Sequence, residues 1–419
     1  VIQSHLNESF PSLSIVRPDL PPGIDAVIQR ATAKQPGDRF DDALEMAQAF
    51  REAMRHAGDE APADKKIVID LAPGEAAVVN PYKGLRSYEE ADASDFFGRD
   101  TLTRELVARL GENRFLAGVG PSGSGKSSVV KAGLVPALRQ GALPGSDDWY
   151  VAMMTPGTHP LEELELALWP IAVDPPPSLV DPMQRDTRGM LRTIRRILPR
   201  EENVQLLLVI DQFEELFTMV DEERRAHFLN SLLEATVDRQ SPLHVVVTLR
   251  ADFYDRPLQY EPIAKLFKAC TELVLPLTRE ELAQAIQEPA KRAGVHFEEG
   301  VVTEIVADTS DQAGALPLMQ YALTELFEAR QNSVITSQGY ADVGGVTGAL
   351  ERRADEIYEG LSVEEQEGAR QLFLRLVTLG EGVEDTRRRV LLTELSQLRV
   401  KSDTGTLGMF GSAQEDNSE

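Results

Sequence analysis

The stretch FLAGVGPSGSGKSSVVKAGLV, residues 115–135, joins three local patterns in a short distance. It begins with an apolar run of strand length, continues with a loop of glycine and serine, and ends with apolar residues at helical spacing. The sequence therefore predicts a strand, a tight loop and a helix in direct succession. The first backbone N–H groups of such a helix have no partner within the helix, so they are free to bind an anion.

Residues 120–127, GPSGSGKS, match the pattern GxxxxGK[ST] at every fixed position. Gly120, Gly123 and Gly125 allow the backbone to turn its N–H groups inward around a phosphate, and the following helix adds the positive end of its dipole. Lys126 can reach the β- and γ-phosphates of a nucleotide, and the Ser127 hydroxyl can ligate Mg²⁺. The loop therefore predicts a nucleotide-binding protein.

A carboxylate that can hold the same Mg²⁺ is expected at the end of a second buried strand. The stretch LLLVIDQFEELF, residues 206–217, places Asp211 directly after five apolar residues. An aspartate in this position can bind the metal directly or through water. The combination with the glycine loop is what makes Asp211 a candidate, because an aspartate that follows a strand is common in turns.

Hydrolysis also requires a group that orients water, and here the sequence leaves two alternatives. Gln212 follows Asp211 where many hydrolysing enzymes of this class carry an acid, and Glu214 and Glu215 come next. Either glutamate could act on the water, and we favour Glu214. The alternative is that both acids stabilise the beginning of the next helix.

A third strand, in HVVVTLRADFYDR, residues 244–256, ends at Arg250. The carboxyl ends of parallel strands form the ligand-binding edge of an open α/β sheet. Arg250 is therefore a candidate sensor of the γ-phosphate, although a lone arginine is often no more than a surface ion pair.

Strand-like and helix-like segments alternate along this part of the chain, which predicts an α/β fold with a parallel sheet covered by helices on both faces. A further strand is predicted at residues 270–277, with Cys270 buried in it. The predicted strands are 114–119, 149–154, 205–211 and 243–250, and the predicted helices are 126–139, 160–170, 184–199 and 221–238.

The patterns on either side of this sheet predict further domains. The chain begins with a short all-α segment, a linker separates it from the P-loop NTPase core, and the pattern becomes helical after the sheet. The predicted divisions are the helical segment 1–57, the linker 58–79, the core 80–277, a helical lid 278–345, a winged-helix-like unit 346–400 and a disordered tail 401–419.

The composition excludes several classes of protein. The chain has 419 residues, of which 43 are lysine or arginine and 68 are aspartate or glutamate, for a formal net charge of −25. This charge repels phosphate backbones and argues against nucleic-acid binding. No apolar run approaches the about 18 residues of a membrane span. With no signal peptide in the sequence, the expected location is the cytoplasm.

Missing motifs narrow the class further. The sequence contains no NKxD pattern to recognise guanine and no LSGGQ-like signature of transporter ATPases. The long helical extension after the sheet is unlike the compact small-molecule kinases. These observations favour an ATPase whose helical lobe closes over ATP or ADP with Mg²⁺.

The ordered set NPYKGLRSYEEADASDFFGRD, GPSGSGKSSVVKAGLVPAL, LLLVIDQFEELF, VVVTLRADFYDR and GALPLMQYALTELFE resembles the novel STAND NTPase domain of bacterial signalling proteins over residues 80–400. The resemblance implies a signal-transduction ATPase in which the P-loop domain, the lid and the winged helix hold the protein closed with ADP and open it with ATP. It also implies other signalling proteins or domains as partners, with self-association on ATP binding.

The resemblance also assigns residues by position. Phe97, Gly98 and Arg99 match the motif beside adenine, Asp211 the magnesium aspartate and Arg250 the sensor arginine. Pro317 matches the lid proline near the base, although the chain has Gly-Ala-Leu-Pro where the family has Gly-x-Pro. The residues that match the phosphate loop are Gly120, Pro121, Ser122, Gly123, Ser124, Gly125, Lys126, Ser127 and Ser128.

The first 57 residues carry a separate resemblance. The stretch LPPGIDAVIQRATAKQPGDRFDDALEMAQAF, residues 20–50, resembles the last helices of a bacterial serine/threonine protein kinase, with Arg39 as a structural arginine. The glycine-rich ATP loop, the HRD sequence and the DFG sequence of kinases are missing from the chain. We therefore expect no protein kinase activity from these 419 residues.

Two other functions remain open from the sequence. A non-hydrolysing scaffold that keeps its nucleotide bound is favoured by Gln212, which replaces the expected acid. An AAA+-like remodeller of nucleic acid is disfavoured by the net charge of −25.

Overall fold

The computed structural model describes residues 22–32, 79–199, 204–310, 314–378 and 386–387. The chain divides into two compact units, Val1–Ala76 and Ala77–Glu419. The described part of the first unit is the helix Pro22–Ala31. Residues 1–21 and 33–57 of the predicted helical segment, among them Arg39, lie outside the described residues, as do the linker up to residue 78 and the tail 401–419.

The second unit is built on a five-stranded sheet in which every neighbouring pair of strands is parallel. The strand order is β2-β3-β4-β1-β5. The strands are β1 (Phe115–Gly120), β2 (Tyr150–Met154), β3 (Leu206–Ile210), β4 (Leu243–Arg250) and β5 (Thr271–Leu273). The predicted α/β fold of a P-loop NTPase with a parallel sheet is confirmed.

Side chains of the strands alternate between two buried clusters. Phe115, Ala117 and Val119 of β1 pack in one cluster, whereas Leu116 packs in the other. Because helices cover both faces, every residue of β1 and of β3 is buried. This burial explains why both strands appear in the sequence as unbroken apolar runs.

The helices of this part lie before and between the strands. They are Asp100–Glu112, Lys126–Ser128, the π-helical turn Val129–Leu134, Val135–Arg139, Pro160–Leu168, Val180–Arg185, Gly189–Ile197, Glu215–Thr218, Glu222–Val237, Asp255–Leu258 and Glu261–Cys270. Short 3₁₀ helices are Glu90–Asp95, Ser146–Asp148, Trp169–Ile171 and Ala251–Phe253. In the described part of the chain, no helix combines the length and apolar character that crossing a membrane requires.

The end of the predicted sheet differs from the prediction. Cys270 is buried, but it is the last residue of the helix Glu261–Cys270, so its assignment to a strand was wrong. β5 is limited to Thr271–Leu273, opposite residues 117–119 of β1. Pro276 follows within the predicted strand, and a proline has no N–H for a sheet ladder.

A second core lies after the sheet in the chain. Its helices are Arg279–Arg292, Val301–Ser310, Leu316–Glu328, Ser337–Val343 and Gly345–Glu359, and β6 (His296–Phe297) pairs in parallel with β7 (Val334–Ile335). We call these elements the lid; the lid predicted from the sequence was residues 278–345, and the helix Gly345–Glu359 extends into the predicted winged-helix-like unit 346–400. Tyr82, far upstream in the chain, is part of the same buried cluster, together with Ile286 and Phe327.

The predicted winged-helix-like unit is described only in part. The helix Val363–Leu376 is followed by β8 (Val377–Thr378), which pairs in an antiparallel manner with β9 (Thr386–Arg387). Residues 379–385 and 388–400 lie outside the described residues, so the unit stays a prediction.

Candidate nucleotide-binding site

The strand order brings the predicted site residues to one edge of the sheet. β1, β4 and β3 are adjacent, and Gly120 at the end of β1 lies opposite Arg250 at the end of β4. Asp211 follows β3 directly. The glycine loop, the aspartate and the arginine therefore meet at the carboxyl ends of three neighbouring strands.

The glycine loop has a backbone that other residues would strain. Gly123 and Gly125 have φ angles of +74° and +87°, in the left-handed region. A Cβ on Gly120 would lie 2.5 Å from the Val274 carbonyl oxygen, and one on Gly123 would lie 3.1 Å from the Gly314 carbonyl oxygen. The Ser124 hydroxyl is buried and has no hydrogen-bond partner within the described residues. A tight loop with an unpaired buried hydroxyl is suited to a phosphate.

Lys126 is buried at the base of the loop. Its Nζ donates to the carbonyl oxygens of Gly120 at 3.0 Å and Pro121 at 2.7 Å. Burial lowers the pKa of Lys126, and the negative charge of Glu214 opposes this shift. The ammonium group thus lies where the loop begins, within the electrostatic reach of Glu214.

Asp211 is the centre of a buried polar cluster. Its Oδ1 accepts hydrogen bonds from Ser127 Oγ at 2.7 Å, from Thr248 Oγ1 at 2.6 Å and from the Gln212 N–H at 3.1 Å. Lys131 Nζ lies 3.6 Å from Oδ2. The side-chain oxygens of Ser127 and Asp211, both of which could bind a metal ion, therefore lie in contact beside the phosphate loop.

Thr248 and Lys131 were not predicted from the sequence as site residues. Thr248 is a polar residue in the apolar run of β4, two positions before Arg250, and this is the signal that identifies it. Lys131 lies four residues after Ser127 in a helical segment, a spacing that places both side chains on one face. Neither signal shows by itself that the two residues meet Asp211.

Gln212 has an unusual backbone conformation for a residue that is not glycine. Its φ is +53°, and its N–H also donates to Thr248 Oγ1 at 3.0 Å. Strained backbone of this kind is often found at functional sites. The conformation turns the chain sharply between Asp211 and the two glutamates.

Glu214 and Glu215 have different surroundings. Glu214 Oε2 accepts the Arg250 backbone N–H at 3.3 Å, and burial raises the pKa of Glu214 although Lys126 and Arg250 oppose this shift. Glu215 is buried, and its Oε2 accepts the Gly157 N–H at 3.1 Å, from the loop after β2. The Glu214 carboxylate thus lies near Lys126 and Arg250, whereas the Glu215 carboxylate accepts a hydrogen bond from the loop after β2.

Arg250 is held by the chain that follows it. Its Nε and Nη2 donate to the two carboxylate oxygens of Asp252 at 3.0 and 2.6 Å, and its guanidinium carbon lies 5.6 Å from the centre of the Phe253 ring. The ion pair with Asp252 raises the pKa of Arg250. The arginine is thus oriented by a bidentate pair, which favours a single geometry.

A cavity of about 230 Å³ lies between the phosphate loop, the segment before the sheet and the lid. Arg99 Nη2 donates to the Ser124 carbonyl oxygen at 2.8 Å, and Gly98, at φ +81°, lies against the lid helix where a Cβ would meet the Glu281 carbonyl oxygen. Pro317 Cδ would lie 3.4 Å from a Cβ on Gly123. The lining includes Ser87, Tyr88, Phe97, Arg99, Gly123, Gly125, Lys126, Ser127, Ser128, Leu277, Ala285, Leu316, Pro317, Met319 and Gln320.

Several residues of this lining were missed from the sequence. The Tyr88 N–H donates to Ser128 Oγ at 3.2 Å, and its hydroxyl donates to Gln320 Oε1 at 2.9 Å, so Tyr88 links the phosphate loop to the lid. Pro121 and Ser122 of the loop do not line the cavity. Tyr88 lies in the segment YKGLRSYEE, whose role is not evident from local pattern.

The residues present fit a magnesium–nucleotide complex. Among the described residues, no group of three or more histidine, cysteine, aspartate or glutamate side chains could hold a metal alone. Mg²⁺ does not require such a group, because it commonly binds one or two protein oxygens together with phosphates and water. Ser127 and Asp211 would supply those protein oxygens.

Comparison with known proteins gives one family and a few partial relatives. The model of the family Novel STAND NTPase 1 matches residues 81–411. Over 80 residues the chain is 36% identical to the serine/threonine-protein kinase PknH of Mycobacterium bovis, covering 19% of this chain and 13% of that kinase. Over 64 residues it is 38% identical to PknH of Mycobacterium tuberculosis, covering 15% and 10%. The chain thus spans a small part of these kinases.

Solved structures show only a distant likeness. A chain of the Drosophila ORC bound to DNA aligns with 84% of this chain and 85% of its own length at 14% identity and a TM-score of 0.39. The Aeropyrum pernix ORC2 protein, in ADPNP-ADP complexes, aligns with 67% of this chain and 75% of its own at 17% identity and a TM-score of 0.38.

Proposed function

The chain belongs to the Novel STAND NTPase 1 family, and from this premise we propose that it is an ATP-binding and ATP-hydrolysing switch for signal transduction. One observation carries the proposal. Lys126, Ser127, Asp211, Glu214 and Arg250 meet at one edge of the sheet, beside a cavity that the lid helps to line.

Nucleotide binding is assigned to the phosphate loop, which includes Lys126 and Ser127, and to Asp211. The N–H groups of the loop and the Lys126 ammonium would bind the phosphates, and Lys126 would exchange its bonds to Gly120 and Pro121 for phosphate oxygens. Ser127 and Asp211 would hold Mg²⁺. When bound, Mg²⁺ neutralises charge on the β- and γ-phosphates.

The adenine is assigned to the cavity beside the loop. Phe97 and Pro317 contribute apolar surface there, and Arg99 supports the loop through the Ser124 carbonyl. Gly98 allows the segment to approach the lid closely. ATP and ADP are therefore the proposed ligands.

Hydrolysis is assigned to Glu214 and Arg250. A raised pKa brings Glu214 closer to the pH at which a base accepts a proton from water most effectively. Arg250 would contact the γ-phosphate from the neighbouring strand through Nη1, since the pair with Asp252 uses Nε and Nη2. The proposed turnover is slow, because a switch requires a long-lived bound state.

The switch itself is a proposal about the lid. ATP would order the lid against the sheet and hydrolysis would release it, because only the state with a γ-phosphate engages Arg250. The division into core 80–277, lid 278–345 and winged-helix-like unit 346–400 belongs to this proposal. The proposal also includes signalling proteins or domains as partners, self-association, a cytoplasmic location and a kinase-like context for residues 1–57.

A second candidate is a scaffold that binds nucleotide without hydrolysing it. Gln212 favours this function, since it stands where an acid is common, and its backbone N–H already binds Asp211 and Thr248. In that case the lid would present a constant surface to a partner.

One experiment separates the two candidates. We would purify the chain, release and identify any bound nucleotide, and measure phosphate release from Mg·ATP for the wild type, Lys126→Ala and Glu214→Gln. A switch is expected to show slow turnover that both substitutions abolish. Glu215→Gln is the matched control, because the Glu215 carboxylate accepts the Gly157 N–H from the loop after β2. Bound nucleotide without turnover above the Lys126→Ala background would indicate the scaffold, and no nucleotide binding would contradict both.

A further inference from the structure

Lys131 lies between two carboxylates that belong to different parts of the site. Its Nζ is 3.1 Å from Glu89 Oε1 and 3.6 Å from Asp211 Oδ2. The exposed fraction of its side chain is 17%, and that of Asp211 is 10%. A charge pair this far from solvent is screened weakly, so the position of the ammonium group affects the charge balance of the site.

The position of Lys131 follows from the helix after the phosphate loop. The helix begins at Lys126 and becomes a π-helical turn over Val129–Leu134, which contains Lys131. Ser127 and Lys131 are four residues apart, so both side chains can face Asp211. π-helical turns inside helices are often found at functional sites.

The two oxygens of Asp211 have different partners. Oδ1 accepts the bonds from Ser127, Thr248 and the Gln212 N–H, whereas Oδ2 faces Lys131. A buried carboxylate is costly unless a positive charge balances it. Lys131 supplies that charge at the carboxylate proposed to hold Mg²⁺.

The other partner of Lys131 belongs to the segment before the sheet. Ser87 Oγ donates to the same Glu89 Oε1 at 3.1 Å. The intervening residue, Tyr88, donates through its hydroxyl to Gln320 of the lid. Lys131 therefore contacts both the candidate metal ligand and a segment that is bonded to the lid.

We propose that Lys131 is a positioning residue that balances the charge of Asp211 in the absence of Mg²⁺ and keeps only its Glu89 partner when Mg²⁺ binds. This inference rests on the proposed nucleotide-binding function. Two cations beside one carboxylate repel each other, so Mg²⁺ at Asp211 favours the Glu89 partner. Without Mg²⁺, Lys131 screens the phosphates from Asp211.

The test is the affinity for ADP, measured as Kd by calorimetry with Mg²⁺ and with EDTA. Lys131→Met is expected to weaken ADP binding about tenfold or more in EDTA, because Asp211 then repels the phosphates, but less than about threefold with Mg²⁺. Lys131→Arg keeps the charge and should behave as the wild type. Lys265→Met removes a lysine from an exposed pair with Glu261 and is the matched control.

Asp211→Asn, alone and combined with Lys131→Met, tests the inference even if loss of the Lys131 charge by itself affects folding. In the Asp211→Asn background no carboxylate remains to be balanced, so adding Lys131→Met should produce no further loss in EDTA. An additional loss equal to that in the wild-type background would overturn the inference.

The remaining outcomes are also distinguishable. Equal weakening of ADP binding by Lys131→Met with and without Mg²⁺ would show a general structural role and overturn the inference alone. A wild-type chain that binds no ADP under either condition would overturn the proposed function, and the inference with it.

Discussion

Glu214 and Glu215 are neighbours in the chain, yet their carboxylates lie in different surroundings. Glu214 accepts the Arg250 N–H and lies within the field of Lys126, whereas Glu215 accepts the Gly157 N–H. Residue type alone cannot separate them. The sharp turn at Gln212, where φ is +53°, determines which carboxylate points toward the loop.

Thr248 offers a test at the scale of one hydroxyl group. Its Oγ1 donates to Asp211 and accepts from the Gln212 N–H. Thr248→Val keeps the volume but leaves both groups without this partner, so the free energy of unfolding should fall by about 1–3 kcal/mol. Urea denaturation measures the change.

Thr248→Ser is the matched control because it keeps the hydroxyl and removes only a methyl group. It should lose about 1 kcal/mol or less. Equal losses for the two variants would show that packing, and not the hydrogen bonds, is what Thr248 contributes.

At the scale of an element, β4 joins two different environments. Its carboxyl end carries Arg250, while its second residue, His244, stacks on Trp149 with ring centres 4.3 Å apart. The His244 Nδ1 is buried and has no hydrogen-bond partner within the described residues. Burial, together with the charge of Arg114, lowers the pKa of His244 to about 4.

This shift predicts a pH dependence of stability. The folded-state pKa of His244, about 4, is below the ordinary value of 6.5, so between these values the unfolded chain binds the proton and the folded chain does not. The contribution of His244 is therefore complete above pH 6.5 and is lost as the pH falls toward 4. It amounts to at most about 3 kcal/mol.

His244→Phe keeps a ring against Trp149 and removes the titration. Urea denaturation between about pH 5 and 7.5 should show a smaller fall in the free energy of unfolding for this variant than for the wild type. An unchanged slope would show that other groups cause the pH dependence.

At the scale of the whole second unit, residues 79–99 connect the lid to the sheet. Tyr82 is buried in the lid cluster and donates to the Ile286 carbonyl, and Asp95 pairs with Arg292 of the lid at 2.9 Å. Arg99 donates to the phosphate loop. A segment that precedes the sheet in the chain thus contacts both halves of the candidate site.

Tyr82→Ala tests this connection. Loss of a buried aromatic side chain from the lid cluster should lower stability by about 3–5 kcal/mol. Hydrogen exchange should show lost protection in the helices Arg279–Arg292 and Leu316–Glu328 while β1 and β4 keep theirs. Leu85→Ala, at a side chain 56% exposed, is the control and should change little. Equal loss of protection in the sheet would contradict separate stability of the lid.

Features that depend on neighbouring residues in the chain were predicted well from the sequence, whereas features that depend on distant contacts were not. The strand β4 was predicted with its observed bounds, and the ends of β1 and β3 were predicted within one residue. Apolar runs and glycine spacing act over a few residues, so they can be read locally. The last strand was predicted at residues 270–277, but its bounds were wrong, because Cys270 ends a helix and only Thr271–Leu273 pair with β1.

The sequence by itself determined the local chemistry: a strand–loop–helix suited to binding an anion, a carboxylate and an arginine at strand ends, and a parallel sheet. Only the tertiary structure decided which groups meet. The order β2-β3-β4-β1-β5 makes Asp211, Arg250 and the loop neighbours, and it brings Thr248 and Lys131 to Asp211. The physical reason is that backbone conformation depends on nearby residues, whereas side-chain partners depend on packing between segments far apart in the chain.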